Sequence, residues 1–102
     1  MKFEVRLTDE AAADLRRLFN HLVDQAAGDW RPAEEALEAI RAALVFLEAS
    51  PFACRRVANP DRHLRELLIG FGATGYVALI EIGRGGTVTV AAVRHQREGD
   101  YR

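Results

Sequence analysis

The sequence predicts an α+β domain in which a helical hairpin packs on one face of a mainly antiparallel four-stranded sheet. Three observations lead to this prediction. A short alternating segment opens the chain, two amphipathic segments of similar length follow, and three strand-like segments separated by glycine-rich turns close it. The order β–α–α–β–β–β does not interleave strands with helices, which is typical of α+β proteins. At 102 residues the chain is expected to form a single domain, residues 1–102.

A change of period marks the first strand and the first helix. Residues 2–7 (KFEVRL) alternate between apolar and charged side chains, as in a strand with one buried face. Thr8 is placed to cap a helix, and Asp9 and Glu10 follow in its first turn, where negative charge suits the helix dipole. Gly28 is expected to end this helix. Apolar residues recur between these limits at helical spacing: Leu15, Leu18, Phe19, Leu22, Val23 and Ala26.

The second helix is predicted from Pro32, in its first turn, to Ser50-Pro51. Trp30, in the turn between the helices, is expected to cover the hairpin. A short connection between two helices of similar length indicates an antiparallel pair. The apolar stripe of this helix contains Ala33, Ala36, Leu37, Ile40, Ala43, Leu44 and Leu47.

Three further strands are predicted over residues 63–69, 76–82 and 87–93, with a hairpin turn at residues 83–86 (Gly-Arg-Gly-Gly). The segment 76–82 (YVALIEI) is apolar on both faces and is therefore expected to be central. Residues 70–75 (GFGATG) match the pattern of dinucleotide-binding loops, but such a loop must lead into a helix that holds the pyrophosphate. Because a strand-like segment follows, we interpret these glycines as a hairpin turn.

Charge is unevenly distributed along the chain. The net charge is −1, with −4 in residues 1–50 and +3 in residues 51–102. The chain as a whole lacks the basic character of a general nucleic-acid-binding protein, although its second half can offer a local positive patch. Thirteen of the fourteen basic residues are arginines, which stay protonated and do not serve as general bases.

Cysteine and histidine content argues against a disulfide and against a metal site. Cys54 is the single cysteine, and the three histidines are scattered, so no metal and no cofactor are expected. Two neighbouring arginines are able to lower the pKa of the Cys54 thiol, but a lone cysteine is more often a small packed side chain. The chain begins without an apolar signal segment, so we expect a soluble, cytoplasmic protein that does not enter a membrane.

The tail, residues 93–102 (VRHQREGDYR), runs from an apolar strand into a dense group of His, Arg and Tyr side chains. One interpretation is a solvated chain end. The other is a cluster at the sheet edge that stabilises a phosphate and moves a proton, since histidine titrates near neutral pH. The residues alone leave both interpretations open.

Five segments and the order of the elements carry a family resemblance. The opening strand ends in Leu-Thr before a helix, and residues 50–57 read Ser-Pro-Phe-Ala-Cys-Arg-Arg-Val. The other segments are residues 64–67 (LREL), 75–79 (GYVAL) and 93–98 (VRHQRE). Over nearly its whole length the chain thus resembles the RelE/ParE superfamily of toxins from type II toxin–antitoxin systems, and the tail is the most specific part. Many relatives have a glycine at the position of Cys54.

The resemblance implies a RelE/ParE-like fold and a toxin of the plasmid stabilisation type. Such a toxin is held inactive by a cognate antitoxin, for which a ribbon-helix-helix type is expected, in a hetero-oligomeric complex. ParE-like members poison DNA gyrase and are not known to cleave a substrate themselves. RelE-like members are enzymes that cleave mRNA on the ribosome. The near absence of lysine and the near-neutral charge favour a ParE-like gyrase inhibitor, and the ribosome-dependent mRNA endonuclease is the alternative.

The resemblance also implies site residues for each activity. Tyr101 lies six positions after His95, a spacing that matches an arginine and a tyrosine in RelE-like sites, so His95 stands in place of the arginine. If the endonuclease alternative holds, the expected catalytic residues are His95, Arg97, Tyr101 and Arg65. The residues expected to bind the target are Arg55, Arg56, Arg94 and Arg97.

Overall fold

The computed structural model describes residues 2–57, 63–71 and 74–95 of the chain. Two helices pack against a sheet with the strand order β1-β5-β4-β3-β2. The elements are β1 (Glu4–Leu7), α1 (Asp9–Gln25), α2 (Arg31–Ala49), a 3-10 turn (Pro51–Ala53), β2 (Arg55–Arg56), β3 (Leu64–Phe71), β4 (Thr74–Ile82) and β5 (Thr87–His95). Neither helix of the described chain is long and apolar enough to cross a bilayer.

The sheet confirms the predicted α+β architecture but contains five strands rather than four. The strands β3, β4 and β5 form an antiparallel meander in which β4 is central, as its two apolar faces predict. β1 pairs in parallel with β5, from Glu4 opposite Thr87 to Leu7 opposite Val90. The additional strand β2 lies at the other edge and covers only two residues of β3. It was missed because two residues are too few to show a strand period.

The core lies between the helices and the face of the sheet that carries Tyr76, Ala78 and Ile80 of β4. Residues opposite one another on neighbouring strands share a face, which brings side chains of β3 and β5 into the same layer. Full burial of a side chain as large as Ile80 contributes roughly 1.5–3 kcal/mol to stability. The buried cluster also contains Ala11, Leu18, Ala36, Leu47, Cys54, Ile69, Val88, Val90 and Val93.

The N-terminus of α1 is tied to the sheet through Thr8. The Thr8 hydroxyl accepts a hydrogen bond from the Ala11 N–H (3.0 Å), as predicted for the cap, and donates one to the Ala91 carbonyl (2.9 Å). The Thr8 N–H donates to the Val90 carbonyl (3.0 Å). Thr8 therefore continues the hydrogen bonding of β1 along the edge of β5 at the point where the chain turns into the helix.

The turn between the helices differs from the prediction at Trp30. This side chain is 65% exposed and does not cover the hairpin. Trp30 is the N-cap of α2 but makes no capping bond with its side chain. The Asp29 carboxylate, one residue earlier, accepts a hydrogen bond from the Arg31 N–H at the start of the helix (3.0 Å). Side-chain hydrogen bonds from Arg31 also hold the pKa of Asp29 below its ordinary value. α1 ends at Gln25, three residues before the predicted stop at Gly28. The left-handed residue that follows the C-cap is Ala27 (φ 52°), and Gly28 (φ 90°) is left-handed as well.

The described ends of the glycine-rich segment 70–75 belong to two antiparallel strands, β3 and β4, as the predicted hairpin requires. Gly70 of β3 lies opposite Gly75 of β4, and β4 is a nine-residue strand that begins at Thr74. Because a strand occupies the place where a dinucleotide site needs a helix, the nucleotide-loop interpretation does not apply.

Candidate functional site

The predicted site residues within the described chain divide into two groups. Arg55 and Arg56 form β2, and Arg65 lies beside them on β3. Arg94 and His95 end β5. The remaining two predicted residues, Arg97 and Tyr101, lie outside the residues that the structure describes.

These two groups occupy opposite ends of the sheet. Arg65 is opposite Ile80 of β4, whereas His95 is opposite Tyr76. The four-residue step between Ile80 and Tyr76 corresponds to about 13 Å along the strand, at about 3.3 Å per residue. The structure therefore brings Arg55, Arg56 and Arg65 together but does not bring Arg65 next to His95.

Arg65 anchors the chain that follows α2. Its Nη1 donates hydrogen bonds to the Cys54 carbonyl (2.8 Å) and to the Phe52 carbonyl (3.2 Å). Its guanidinium carbon also lies 5.4 Å from the centroid of the Phe52 ring, within cation–π range. Much of the donor capacity of Arg65 is thus used to hold the 3-10 turn and β2 in place.

Cys54 is buried beneath this turn, which confirms its interpretation as a packed side chain. Burial raises the pKa of the Cys54 thiol, and the positive charge of Arg65 lowers it to a smaller extent. Desolvation therefore prevails over the neighbouring positive charge, and the thiol is held in its protonated, unreactive form.

Beyond Arg65 the surface opens into a groove of about 420 Å³, which we call the basic groove. It lies where β3 begins and β4 ends, beside the 3-10 turn. Arg55 does not line it, because the register places Arg55 and Glu66 on the opposite face of the sheet from Arg56 and Arg65. There the Arg55 guanidinium pairs with the mostly buried carboxylate of Glu66. The residues that line the basic groove are Phe52, Arg56, His63, Arg65, Glu81, Ile82, Gly83 and Arg84.

At the opposite end of the sheet, Asp14 of α1 organises the last residues of β5. This side chain is buried, accepts a hydrogen bond from the Val93 N–H (2.9 Å) and pairs with the guanidinium of Arg94. The Arg17 Nη1 lies 3.2 Å from the other carboxylate oxygen. The pairing of β1 with β5 ends at Val90. Beyond that residue, the Asp14 carboxylate accepts a hydrogen bond from the edge of β5, as the backbone of a neighbouring strand would.

His95 lies against Tyr76 at this same end of the sheet. The two rings are in an edge-to-face arrangement, with centroids 5.7 Å apart and planes at 79°. Burial raises the pKa of the Tyr76 hydroxyl, so this phenol stays protonated at neutral pH. No group of three His, Cys, Asp or Glu side chains in the described part of the chain is placed to hold a metal ion.

Sequence reasoning did not find Asp14, His63, Glu81 or Arg84. Asp14 did leave a signal, since it is an acidic residue at helical spacing between Ala11 and Leu18 on the buried face of α1. An ionised side chain on such a stripe needs a partner. The other three enter the basic groove only because β3, β4 and the turn after β4 meet there, which is a property of the tertiary fold.

Solved structures show which proteins share this fold. A chain of the chromosomal ParDE toxin–antitoxin system from P. aeruginosa superposes with a TM-score of 0.69 at 18% identity, covering 92% of this chain and 96% of that one. A chain of the RelBE2 toxin–antitoxin complex from Mycobacterium tuberculosis superposes with a TM-score of 0.60, also at 18% identity, covering 93% and 92% of the two chains. Identities this low establish the fold alone.

Sequence comparison establishes the family. No curated protein sequence matches the chain. The family model described as the ParE toxin of the type II toxin–antitoxin system parDE matches residues 5–99, nearly the whole chain. The chain therefore belongs to this family of ParE toxins, within the ParE/RelE superfamily of type II toxin–antitoxin systems.

Proposed function

We propose that the chain is a toxin that inhibits DNA gyrase and that a cognate antitoxin neutralises it. The observation that carries this proposal is the match of residues 5–99 to the ParE family model. The solved relatives support the antitoxin part, since their titles name a ParDE toxin–antitoxin system and a RelBE2 toxin–antitoxin complex. A gyrase inhibitor acts by binding to a protein and needs no catalytic group of its own.

The described arginines are consistent with a binding role. Arg55 is paired with Glu66, Arg65 with two backbone carbonyls, and Arg94 with Asp14. These contacts fix the positions of the guanidinium groups on the sheet, and Arg55, which is 66% exposed, still presents donors at the surface. Large apolar side chains are also exposed at the surface, including Phe52 beside the basic groove, and aromatic side chains and arginine are enriched at interface hot spots.

The open edge of β3 is the surface that we propose for the antitoxin. The Val57 N–H donates to the Leu64 carbonyl (3.0 Å), so the backbone groups of Leu64 point toward β2. In a strand every second residue points the same way, which directs the backbone groups of Leu68 and Gly70 to that side as well. The pairing of β2 with β3 ends at Glu66, and beyond that residue no described strand pairs with this edge of β3. An extended antitoxin segment can add there, with Leu68, 51% exposed, as an apolar contact.

The RelE-like mRNA endonuclease remains the second candidate, because the basic groove offers suitable chemistry. His63 and Glu81 are side chains that can exchange protons, and they lie among three arginines able to stabilise a phosphate. On this alternative His63 and Glu81 join the candidate residues, and His95, at the other end of the sheet, does not share their groove.

Induction of the chain in a bacterial host distinguishes the two activities. A gyrase inhibitor is expected to break DNA and switch on an SOS reporter while mapped mRNA 5′ ends stay unchanged. Purified chain should then inhibit supercoiling by gyrase and trap its cleaved DNA complex. Co-expression of the antitoxin is the control and should abolish the DNA breaks and the SOS response in the host. New mRNA 5′ ends at codons, without an SOS response, would instead establish the endonuclease.

A further inference from the structure

One side of α2 presents a continuous row of exposed side chains, which we call the α2 stripe. It begins at the N-cap residue Trp30 and follows helical spacing to Val45, about 22 Å along the axis at 1.5 Å per residue. At 3.6 residues per turn, its members share about 100° of the helix circumference. A surface groove of about 620 Å³ beside the stripe is lined, among the described residues, by α2 alone. The members of the stripe are Trp30, Glu34, Leu37, Glu38, Arg41 and Val45, and all six are exposed.

Apolar side chains lie at both ends and in the middle of the α2 stripe. Trp30 is 65% exposed and Val45 is 63% exposed, and Leu37 between them is exposed as well. A single apolar side chain at the surface is ordinary, but several on one side of one helix indicate a contact surface. Tryptophan is also the side chain most often found at the energetic centre of a protein interface.

The charges of the α2 stripe change sign along the helix. Glu34 lies one turn after Trp30, and Arg41 lies one turn before Val45. Arg41 approaches Glu38 at 3.5 Å, but both side chains are largely exposed and such a pair contributes little. The stripe is therefore acidic toward one end and basic toward the other, which makes it complementary to a copy of itself that runs in the opposite direction.

We propose that the α2 stripe binds the α2 stripe of a second copy of this chain. The two helices are antiparallel, and a twofold axis passes midway between positions 37 and 38. In this register position 34 lies opposite position 41, so Glu34 of each copy pairs with Arg41 of the other. Position 30 lies opposite position 45, so each Trp30 packs on Val45 of the other copy. A twofold interface requires this kind of self-complementarity.

A second copy fits the stripe better than a peptide of one charge sign, which would complement only one half of it. Because the stripe is short and a helix is only about 10 Å wide, the dimer belongs to the small interfaces of less than about 1,200 Å² in total. We therefore expect a weak dimer, with a Kd of about 10–100 µM. The stripe shares no residue with the basic groove or with the open edge of β3. Dimer formation goes beyond inhibition of gyrase and does not depend on it.

Sedimentation velocity of the full-length chain over about 1 µM to about 1 mM tests for the dimer. Fluorescence gives an independent measurement, because Trp30 is the single tryptophan of the chain. Its emission should shift to shorter wavelength as the concentration rises, since the ring leaves water when it packs on Val45. The midpoint of this shift should coincide with the Kd from sedimentation. The association should also weaken at high salt, which screens the exposed ion pairs.

Charge reversals at positions 34 and 41 test the antiparallel register. Glu34→Arg and Arg41→Glu each place like charges opposite one another at both symmetric contacts, so each should raise the Kd at least about tenfold. Mixed in equal amounts, the two variants should associate about as tightly as the unaltered chain, because both contacts of the mixed dimer then join opposite charges. The matched control is Glu10→Arg, which reverses an exposed acid in the first turn of α1 as Glu34→Arg does in α2, and it should leave the Kd unchanged.

Four results would overturn the proposal. The first is a chain that stays monomeric at about 1 mM, and the second is a dimer that forms equally well with Glu34→Arg and thus uses another surface. The third is a failure of the two variants to associate when mixed. The fourth is a monomeric free chain in which Glu34→Arg weakens antitoxin binding, which would assign the stripe to the antitoxin. Circular dichroism confirms that each variant is folded. Supercoiling assays, run separately, test the gyrase proposal, so that either proposal can fail without the other.

Discussion

Asp14 places a charge inside the core, and its removal should be costly. Its carboxylate accepts a hydrogen bond from the Val93 N–H and forms ion pairs with Arg94 and Arg17. Asp14→Ala removes the carboxylate that pairs with the mostly buried guanidinium of Arg94 and accepts from the Val93 N–H. We therefore expect the free energy of unfolding, measured by urea denaturation, to fall by about 3 kcal/mol.

Two companion variants separate the charge from the hydrogen bond. Asp14→Asn can still accept a hydrogen bond from the Val93 N–H but carries no charge. Its free energy of unfolding should therefore lie between that of the unaltered chain and that of Asp14→Ala. Asp24→Ala removes an exposed acid from the same helix and should change stability by less than about 0.5 kcal/mol. A loss below about 1 kcal/mol for Asp14→Ala would contradict a structural role for this ion pair.

Cys54 should react slowly in the folded chain. Burial raises its pKa, so a smaller fraction is thiolate at any pH near 8, and the buried sulfur is also shielded from reagents. We expect iodoacetamide to alkylate the folded chain at least about tenfold more slowly than the urea-unfolded chain, as followed by mass spectrometry. Equal rates would show that the thiol is exposed.

The raised pKa of Cys54 also makes the folded chain less stable in alkaline solution. The folded pKa of Cys54 is raised above the unfolded value, so the protonated thiol stabilises the folded chain fully below the unfolded pKa. That contribution is lost as pH rises through the folded pKa, because the unfolded thiol ionises first. Cys54→Ala, which has no thiol to ionise, is the control and should lose less stability in alkaline solution.

Single residues differed in how far the sequence revealed their roles. Thr8 was predicted as a helix cap because the capping bond is local, between residues three apart. Its second bond, to Ala91, joins residues 83 positions apart and has no local signature. The role of Asp14 is equally non-local, since its partners lie on β5.

The connection between α1 and α2 contains two adjacent left-handed residues. Ala27 has φ 52° and Gly28 has φ 90°. A left-handed conformation costs an L-residue roughly 1–2 kcal/mol, whereas glycine adopts it without that cost but gains freedom in the unfolded chain. Substitutions at these neighbours should therefore have opposite signs.

We expect Ala27→Gly to stabilise the chain by about 0.5–1 kcal/mol, because the relief of strain exceeds the added unfolded-state entropy. Gly28→Ala should destabilise it by about 1 kcal/mol, although an added Cβ meets no atom within 4 Å. Thermal unfolding of both variants measures the difference. A stabilised Gly28→Ala would show that φ at this position is not positive in solution.

Among the elements, long and periodic segments were predictable and short ones were not. Both helices and the three antiparallel strands follow from apolar periodicity, and the central place of β4 follows from its two apolar faces. β2 forms only because Arg55 and Arg56 meet Glu66 and Arg65 across the fold. The predicted apolar stripe of α2 is confirmed at Ile40 and Leu47, which are buried. Leu37, also assigned to this stripe, is 37% exposed and lies at the edge of the core.

At the scale of the whole molecule, the sequence showed that positive charge concentrates in the second half but not how that charge is arranged. Arg56 and Arg65 face the basic groove, where Arg84 joins them from the turn after β4. Arg94 belongs to the other end of the sheet, with Asp14 and His95. This division depends on the register of β3, β4 and β5, which local pattern does not reveal.

One histidine lies at each end of the sheet, His63 in the basic groove and His95 against Tyr76. Substitution of each in turn tests whether either end carries out proton transfer. We predict that His95→Gln keeps full toxicity, because a gyrase inhibitor has no proton to move at this position. Glutamine retains hydrogen-bonding capacity but cannot titrate near neutral pH. It also loses the ring contact with Tyr76, so thermal unfolding must first show that the variant is folded.

His63→Gln is the matched variant at the basic groove, and both substitutions are compared after induction by cell survival, an SOS reporter and mapping of mRNA 5′ ends. For a gyrase inhibitor, mRNA stays intact with the unaltered chain and with both variants. For an endonuclease, removal of its acid or base should slow cleavage by about 10²–10⁴-fold. Codon-specific cuts that disappear in His95→Gln would place the chemistry at the Tyr76 end of the sheet. Cuts that disappear only in His63→Gln would place it in the basic groove, and either pattern would replace the gyrase proposal.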